Sequence, residues 1–232
     1  MLYSQTSGSG EDLVLLHGWG FSADLFADLV AKYQHKYRLT VIDLPGHGRS
    51  DEVAGGAENW CAEIINNLPT NPILLGWSLG GLLAISIARQ LPLKGLILVA
   101  CSPNFIQNKH WNFGIPADNF RQFNTNLKAD FSKGLRRFVS LQSNNKKQIK
   151  ALNQSISRFP ASTQALNQGL EILLNTNLLD EFQQLKIPIK VILGENDTLV
   201  PSQISAWYKA CGVDVKILKT GHLPFLDENF QL

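Results

Sequence analysis

The chain contains the segment Gly76-Trp77-Ser78-Leu79-Gly80-Gly81, with an apolar run before it and a helix-forming run after it. A serine between two glycines in this strand–turn–helix context sits on a sharp bend that exposes its hydroxyl. Gly76 and Gly80 provide the small residues that such a bend requires. The bend also places the Leu79 amide at a helix N-terminus, where a developing anion is stabilised. The pattern predicts a nucleophilic Ser78; the alternative is an ordinary glycine-rich turn that holds a serine.

Length and composition favour a globular protein with a large core. The chain has 232 residues, of which 44% are hydrophobic and 17% are charged, and this suits one α/β domain or a domain with an insertion. No apolar run approaches the roughly 20 residues of a membrane span, and the first residues lack the pattern of a secretory signal. The cysteines Cys61, Cys101 and Cys211 form neither a CxxC pair nor a cluster with histidine. We therefore expect a cytoplasmic protein without membrane association, metal or cofactor, and we expect a monomer.

Short apolar runs alternate with helix-forming segments in the first hundred residues. We predict strands over residues 13–16, 39–42, 73–75 and 96–99. Between them we predict helices over 23–32, capped by Ser22, over 58–68, and over 82–90. This alternation predicts a doubly wound, mostly parallel sheet, in which ligands bind beyond the carboxyl ends of the strands.

The alternation stops near residue 104. Residues 104–176 are rich in Asn, Gln, Lys and Arg, and apolar residues recur at helical spacing over 131–141, 146–156 and 162–174. Strands return over 189–193 and 213–218, with a helix over 202–211 between them. We therefore predict a core of residues 1–103 and 177–232, and a helical lid of residues 104–176 inserted over the active edge.

Positive charge is concentrated in the predicted lid. Residues 120–160 contain nine Lys and Arg and a single acid, a net charge of +8, whereas the whole chain carries +2. Such a field at a cleft mouth would speed encounter with an acidic partner; the alternative is a solvated helical surface. Nucleic acid is a poorer candidate because no recognition motif accompanies the charge.

A serine nucleophile needs a histidine base and a carboxylate that orients it. On this kind of sheet the partners follow in the order serine, acid, histidine, and Asp197 and His222 satisfy that order just beyond predicted strand ends. The remaining candidates are weaker: His17 and His47 shape glycine-rich loops, His35 and His110 are solvated, Asp43 braces the Arg49 loop, and Glu195 points elsewhere.

Two backbone amides are needed to stabilise the oxyanion of such a reaction. Leu79 supplies one, and Trp19, in the loop after the first predicted strand, supplies the other. The indoles of Trp19 and Trp77 either line an acyl pocket or pack in the core.

Several motifs together resemble the α/β-hydrolase family: residues 17–20 (HGWG), 43–50 (DLPGHGRS) and 76–81 (GWSLGG), Asp197, and residues 221–222 (GH). More narrowly, residues 15–20 (LLHGWG), 137–142 (RFVSLQ), 169–173 (GLEIL) and 222–225 (HLPF) resemble the pimeloyl-[acyl-carrier-protein] methyl ester esterases of biotin biosynthesis. The resemblance implies an α/β-hydrolase fold, with Ser78 as nucleophile, His222 as base, Asp197 as its orienter, and Trp19 and Leu79 in the oxyanion hole.

The same resemblance implies further contacts. It assigns substrate binding to Trp19, Ser78, Leu79, Phe138, Gln142 and His222. It assigns contact with an acidic acyl-carrier protein to Lys133, Arg137, Lys146 and Lys150. The expected reaction is hydrolysis of a carrier-bound methyl ester. The alternatives are a hydrolase of another ester, a thioester or a C–C bond on a free small molecule, and a binding protein that uses the cleft as a receptor.

Overall fold

The computed structural model describes residues 1–143 and 145–232. Within these ranges the chain forms a sheet of seven strands, in the order β1-β3-β2-β4-β5-β6-β7. The strands are β1 (Ser4–Ser7), β2 (Glu11–Leu16), β3 (Tyr37–Ile42), β4 (Ile73–Trp77), β5 (Gly95–Val99), β6 (Ile189–Gly194) and β7 (Asp214–Leu218). Only the edge strand β1 runs antiparallel to its neighbour, so the predicted mostly parallel sheet is confirmed.

Helices cover both faces and the carboxyl edge of this sheet. They are α1 (Ala27–Tyr33), α2 (Ala57–Ile65), α3 (Leu79–Ala88), α4 (Ala117–Ala129), α5 (Phe131–Leu141), α6 (Lys146–Arg158), α7 (Thr163–Asn175), α8 (Leu179–Gln184) and α9 (Ser205–Ala210). Short 3₁₀ turns, Ala23–Phe26 and Ser202–Ile204, lead into α1 and α9. Across the described ranges, none of the helices combines the length and hydropathy that a bilayer crossing requires.

The β2 strand shows why the sheet is buried on both faces. Leu13 and Leu15 belong to one hydrophobic cluster, and Val14 and Leu16 belong to another on the opposite side. All four side chains are inaccessible to solvent. Because strand side chains alternate between faces, an uninterrupted apolar run fits only a strand with helices on both sides. Each such side chain contributes about 1.5–3 kcal/mol when it is fully buried.

The first helix begins differently from the prediction. The side chain of Ser22 makes no capping hydrogen bond, and the segment opens as a 3₁₀ turn. The Ala23 N–H donates instead to Oδ1 of Asp43, at 2.6 Å. Ser22 thus occupies the predicted N-cap position, where its carbonyl accepts from the Leu25 N–H, at 3.2 Å, but its hydroxyl does not cap the helix.

Helices α4, α5, α6 and α7 lie between β5 and β6 in the chain. The segment leaves and rejoins the core at neighbouring points, because Asn104 and Asn177 form an isolated antiparallel bridge. The Leu178 N–H also donates to the Pro103 carbonyl, at 2.9 Å. This geometry supports residues 104–176 as one insertion, which we call the inserted segment.

Candidate active site

A sharp bend joins β4 to α3, and Ser78 lies at its centre. The backbone of Ser78 has φ 54° and ψ −118°, an unfavourable conformation for a residue with a side chain that costs about 1–3 kcal/mol. A Cβ on Gly76 would overlap the Gly80 carbonyl, and a Cβ on Gly80 would overlap the Leu16 carbonyl. The bend therefore depends on both glycines.

Three side chains meet at the carboxyl edge of the sheet. The Ser78 Oγ lies 2.9 Å from Nε2 of His222, and Nδ1 of His222 lies 2.7 Å from Oδ2 of Asp197. The imidazole is fully buried, and Ser78 and Asp197 are more than nine-tenths buried. Residues separated by 144 and 25 positions in the chain thus form one continuous hydrogen-bonded relay.

The carboxylate fixes which nitrogen of His222 carries a proton. Both oxygens of Asp197 accept: Oδ2 accepts from His222, and Oδ1 accepts from the backbone N–H groups of Leu199 and Val200, at 2.8 and 3.0 Å. Because an ionised carboxylate only accepts, Nδ1 of His222 must donate and Nε2 is left to accept from the Ser78 hydroxyl. That is the tautomer that a general base requires.

Two backbone amides are available near the serine. Leu79 is the first residue of α3, and Trp19 lies in the loop after β2. Within the described parts of the chain, neither N–H donates to a protein acceptor. Free N–H groups at a helix start and in a tight loop are the donors that stabilise a developing oxyanion.

Ser78 opens into a cavity of about 210 Å³. Its walls are mostly apolar and come from the core and the inserted segment: Trp19, Phe105, Ile115, Asn119, Phe120, Phe123, Phe138, Leu141, Leu170, Leu173, Thr198 and Leu199. The indole of Trp19 is held by a hydrogen bond from its Nε1 to the Leu166 carbonyl, at 2.8 Å. The ring of Phe138 packs edge-on against it, with centroids 4.8 Å apart. The cavity suits an acyl chain whose reacting carbonyl reaches Ser78.

Residues 13–231 match the sequence profile of the alpha/beta hydrolase family. The chain belongs to the alpha/beta hydrolase family. A relative from Shewanella woodyi named pimeloyl-[acyl-carrier protein] methyl ester esterase is 36% identical over 237 residues, covering 97% of this chain and 92% of the relative. A relative of the same name from Nitrosomonas europaea is 34% identical over 236 residues, covering 97% of this chain and 94% of the relative.

Solved structures show the same hydrolase fold. An esterase from Exiguobacterium antarcticum has a TM-score of 0.89 at 24% identity, covering 98% of this chain and 90% of that chain. A bromoperoxidase from Bacillus anthracis has a TM-score of 0.85 at 18% identity, covering 95% of this chain and 88% of that chain.

Gln142 of this hydrolase lies next to His222 rather than along the cavity at Ser78. It is fully buried, and its backbone carbonyl accepts from the His222 N–H, at 3.0 Å. Its side chain borders a second, polar cavity of about 250 Å³ and donates from Nε2 to the Phe138 carbonyl, at 3.3 Å. Its predicted contact with substrate stays a prediction; the contact seen here is with His222.

The loops around the hydrolase site are held by buried polar side chains, as the sequence predicted for His17, His47 and Asp43. Nε2 of His17 accepts from the Leu44 N–H, at 2.9 Å, and Nε2 of His47 accepts from the Gly20 N–H, at 3.2 Å. Burial lowers the pKa of both imidazoles, that of His47 to about 3, so both are neutral near pH 7. Neutral histidines can serve as acceptors for these loops, which a charged imidazolium cannot do.

Asp43 is the charged centre of these loops. Burial opposes its charge, but hydrogen bonds from Arg49 and from backbone N–H groups outweigh that cost and hold the pKa of the carboxyl below its usual value. The guanidinium of Arg49 donates from Nε to Oδ2, at 2.8 Å, and from a terminal nitrogen to Oδ1, at 3.2 Å. The predicted role of Asp43 in bracing the Arg49 loop is thus seen directly.

Seven exposed cations lie on α5 and α6, and six of them, all but Arg158, form what we call the cationic face: Lys133, Arg136, Arg137, Lys146, Lys147 and Lys150. Within residues 1–143 and 145–232, none of them has an acidic partner within 4 Å. By contrast, Arg121 pairs with Asp118 and Arg158 pairs with Asp24. The predicted carrier contacts, Lys133, Arg137, Lys146 and Lys150, therefore belong to a positive surface whose charge is not neutralised by the described residues.

Sequence reasoning missed parts of the site. Of the two roles expected for Trp77, the structure shows packing in the core, but the hydrogen bond from its indole Nε1 to the His222 carbonyl, at 2.7 Å, was not foreseen. It also missed α4, which supplies Phe120 and Phe123 to the cavity. The signal for α4 was present, because Phe120, Phe123 and Leu127 recur at helical spacing in a polar segment.

Proposed function

We propose that this hydrolase is a serine carboxylesterase that cleaves the methyl ester of a pimeloyl group carried by acyl-carrier protein, a step in biotin synthesis. The observation that carries the proposal is the Ser78–His222–Asp197 relay, which opens into an apolar cavity beside a cationic face. The names of the relatives, at 34–36% identity over nearly the whole chain, support the same substrate.

The mechanism follows from the geometry of the relay. Nε2 of His222 takes the proton of Ser78 as Oγ attacks the ester carbonyl, and the N–H groups of Trp19 and Leu79 stabilise the resulting oxyanion. Collapse of this intermediate breaks the bond to methoxide, which leaves as methanol with the proton from His222. Water then loses a proton to His222 and attacks the acyl-enzyme, and the acid is released as Ser78 regains its proton.

The cavity walls support an acyl chain rather than a polar substrate. Each methylene that leaves water for such a surface gains about 0.8 kcal/mol. The rings of Trp19 and Phe138 lie beside Ser78 in this cavity, where they would hold the chain while its ester reaches the nucleophile.

The cationic face supports a carrier-bound substrate. Acyl-carrier proteins are strongly acidic, so an un-neutralised positive surface on α5 would raise the rate of encounter at low salt. Phe138 at the cavity wall lies on the same helix as Lys133 and Arg137. A carrier docked on this helix would therefore stand next to the acyl cavity.

The direct test is hydrolysis of methyl pimeloyl-carrier protein by the wild type and by Ser78→Ala. We expect the variant to lose hydrolysis by at least about 10⁴-fold, because the nucleophile is gone. It should also lose labelling by a fluorophosphonate probe. Undiminished hydrolysis by the variant would remove Ser78 from the mechanism, and an unlabelled wild type would favour a binding protein.

A second experiment separates carrier-bound from free substrates. Charge reversal at Lys133, Arg137 and Lys150 should lower kcat/KM on the carrier-bound ester by about tenfold or more while sparing a free short-chain ester. Lys209→Glu, an exposed lysine on α9 outside the inserted segment, is the matched control. Equal losses on both substrates would favour the alternative, a hydrolase of free small molecules.

We also propose that the enzyme works in the cytoplasm as a monomer. Its cysteines are free thiols, two of them buried, and this fits a reducing compartment. Light scattering of the purified enzyme at working concentration checks the oligomeric state, and a dimer would contradict the proposal.

A further inference from the structure

The backbone of His222 is held on both sides by hydrogen bonds that are not part of the relay. Its carbonyl accepts from the Trp77 indole at 2.7 Å, and its N–H donates to the Gln142 carbonyl at 3.0 Å. One partner belongs to the bend that carries Ser78, and the other closes the C-terminal end of α5. Hydrogen bonds thus link the backbone of His222 to Trp77, at the end of β4, and to Gln142 in the inserted segment.

The indole of Trp77, which holds the His222 carbonyl, is closely packed on several sides. The indole is buried, and it packs edge-on against Phe21 and Phe225, with centroids 5.1 and 5.3 Å away. A Cβ on Gly18 would lie 2.9 Å from the same ring, so the loop before Trp19 closes on it from another side. Because the ring is confined in this way, its N–H is preorganised to hold the His222 carbonyl.

The Gln142 side depends on a glycine. A Cβ on Gly221 would lie 2.6 Å from the Gln142 carbonyl oxygen, closer than real Cβ contacts allow. Gly221 therefore permits the close approach that lets this carbonyl accept from the next residue, His222. An alanine here would push the two segments apart without removing any buried apolar volume.

We infer that Trp77 is a positioning residue for the general base, acting with the Gln142 carbonyl to fix the backbone of His222. The inference rests on the proposed serine hydrolase function and deepens it. The imidazole must meet Ser78 at 2.9 Å and Asp197 at 2.7 Å together. A shift of its backbone by about 1 Å would break one contact or the other, and errors of that size cost about 100-fold in rate.

The test compares Trp77→Phe, which keeps an aromatic ring and deletes the N–H, with Gly221→Ala, which disturbs the opposite side. The matched controls are Trp60→Phe, which deletes a buried indole donor to the Val53 carbonyl, and Gly56→Ala, where an added Cβ meets nothing within 4 Å. We expect each test variant to lower kcat by about tenfold to 100-fold, equally on carrier-bound and free short-chain esters, with KM little changed. The controls should keep wild-type kcat.

A second readout needs no substrate. We expect the Nδ1 proton of His222, held in a hydrogen bond of 2.7 Å to Asp197, to give a far-downfield proton NMR signal. We expect this signal to move or broaden in Trp77→Phe and Gly221→Ala and to stay in place in the controls. Because it is read on the free enzyme, failure of the ester assay with wild type would count against the proposed function and leave this inference testable.

Wild-type kcat in folded Trp77→Phe and Gly221→Ala would overturn the inference. So would a loss of activity that tracks thermal stability while the downfield signal stays unchanged, since that pattern is a general structural effect. If Trp77→Phe does not fold, an analogue of Trp77 in which sulfur replaces the indole N–H takes its place, because it keeps the shape of the ring and still deletes the donor; the same two readouts apply.

Discussion

At the scale of single residues, both carboxylate oxygens of Asp197 have hydrogen-bond partners that fix the orientation of the relay. One carboxylate oxygen accepts from His222 and the other accepts from the N–H groups of Leu199 and Val200. An asparagine would turn its NH₂ group toward one of these donors, whichever way it rotates. If the NH₂ group faces His222, the imidazole must take the other tautomer, and Nε2 then carries a proton and cannot accept from Ser78.

We therefore expect Asp197→Asn to lower kcat by about 10⁴-fold, because the wrong tautomer replaces the base. Fluorophosphonate labelling should slow by a similar factor. Circular dichroism and thermal unfolding check that the variant is folded. A folded Asp197→Asn variant with near wild-type kcat would mean that Asp197 does not orient the base.

The members of the relay were predictable from sequence, whereas the groups that hold it were not. Ser78, Asp197 and His222 carry side chains whose chemistry and chain order mark them. The contact from Gln142 to His222 is made by a backbone carbonyl. Because every residue has such a carbonyl, the residue types in the sequence could not predict this contact. The Trp77 indole has a side-chain donor, but its acceptor is also a backbone carbonyl that only the folded chain brings near.

At the scale of elements, Arg49 joins the core to the end of α6. Its guanidinium lies 3.7 Å from the ring centroid of Tyr3, next to β1, and 4.3 Å from that of Phe159, just after α6. Behind it lies the buried Asp43. A single side chain thus neutralises a buried acid and stacks between the core and the inserted segment.

We expect Arg49→Ala to lower the free energy of unfolding by about 3 kcal/mol, because Asp43 is left as an unpaired buried charge. Arg38→Ala is the matched control: its partner is Asp12, at 3.1 Å, and the arginine side chain is half exposed. An exposed pair contributes only about 0–1 kcal/mol. Urea unfolding measures the free energy of unfolding of both variants. An equal decrease in the two would mean that Arg49 does not stabilise the protein by pairing with the buried Asp43.

The elements with strong apolar patterns were predicted well. The predicted helix over residues 131–141 matches α5, and the buried strands lie where the apolar runs indicated. The β1 strand was missed because Ser4, Gln5, Thr6 and Ser7 form a polar edge strand that pairs only with β3. Such a strand is stabilised by backbone pairing with a partner distant in the chain, and its side chains give no periodic signal.

At the scale of the whole molecule, buried neutral histidines link stability to pH. The pKa of His47 is lowered from 6.5 to about 3 by burial, with the nearby His17 adding to the shift. Between pH 6.5 and about 3, the unfolded chain therefore binds a proton at His47 that the folded chain does not bind. Stability from this group is fully present above pH 6.5 and is lost as the pH falls below it, by about 1.4 kcal/mol per pH unit.

We expect the free energy of unfolding, measured in urea, to fall as the pH is lowered from 6 to 4.5. His47→Gln should have a shallower slope by about 1.4 kcal/mol per pH unit, because one titrating group is gone. The carboxyl of Asp43, whose pKa is also lowered, contributes mainly below this window. His35→Gln, at an exposed position, is the control. Parallel slopes for the wild type and His47→Gln would contradict the assignment.

The apolar walls around Ser78 have a consequence for turnover. A methyl ester is uncharged and enters such surroundings without losing strong hydration, but its hydrolysis leaves an ionised carboxylate among Trp19, Phe138 and Leu170. Beyond the two N–H groups at Ser78, these walls offer little to replace the water that hydrates the anion, so we expect the acid to bind less tightly than the ester it came from. We therefore expect release of the acid to be favourable and product inhibition to stay weak when the acid accumulates.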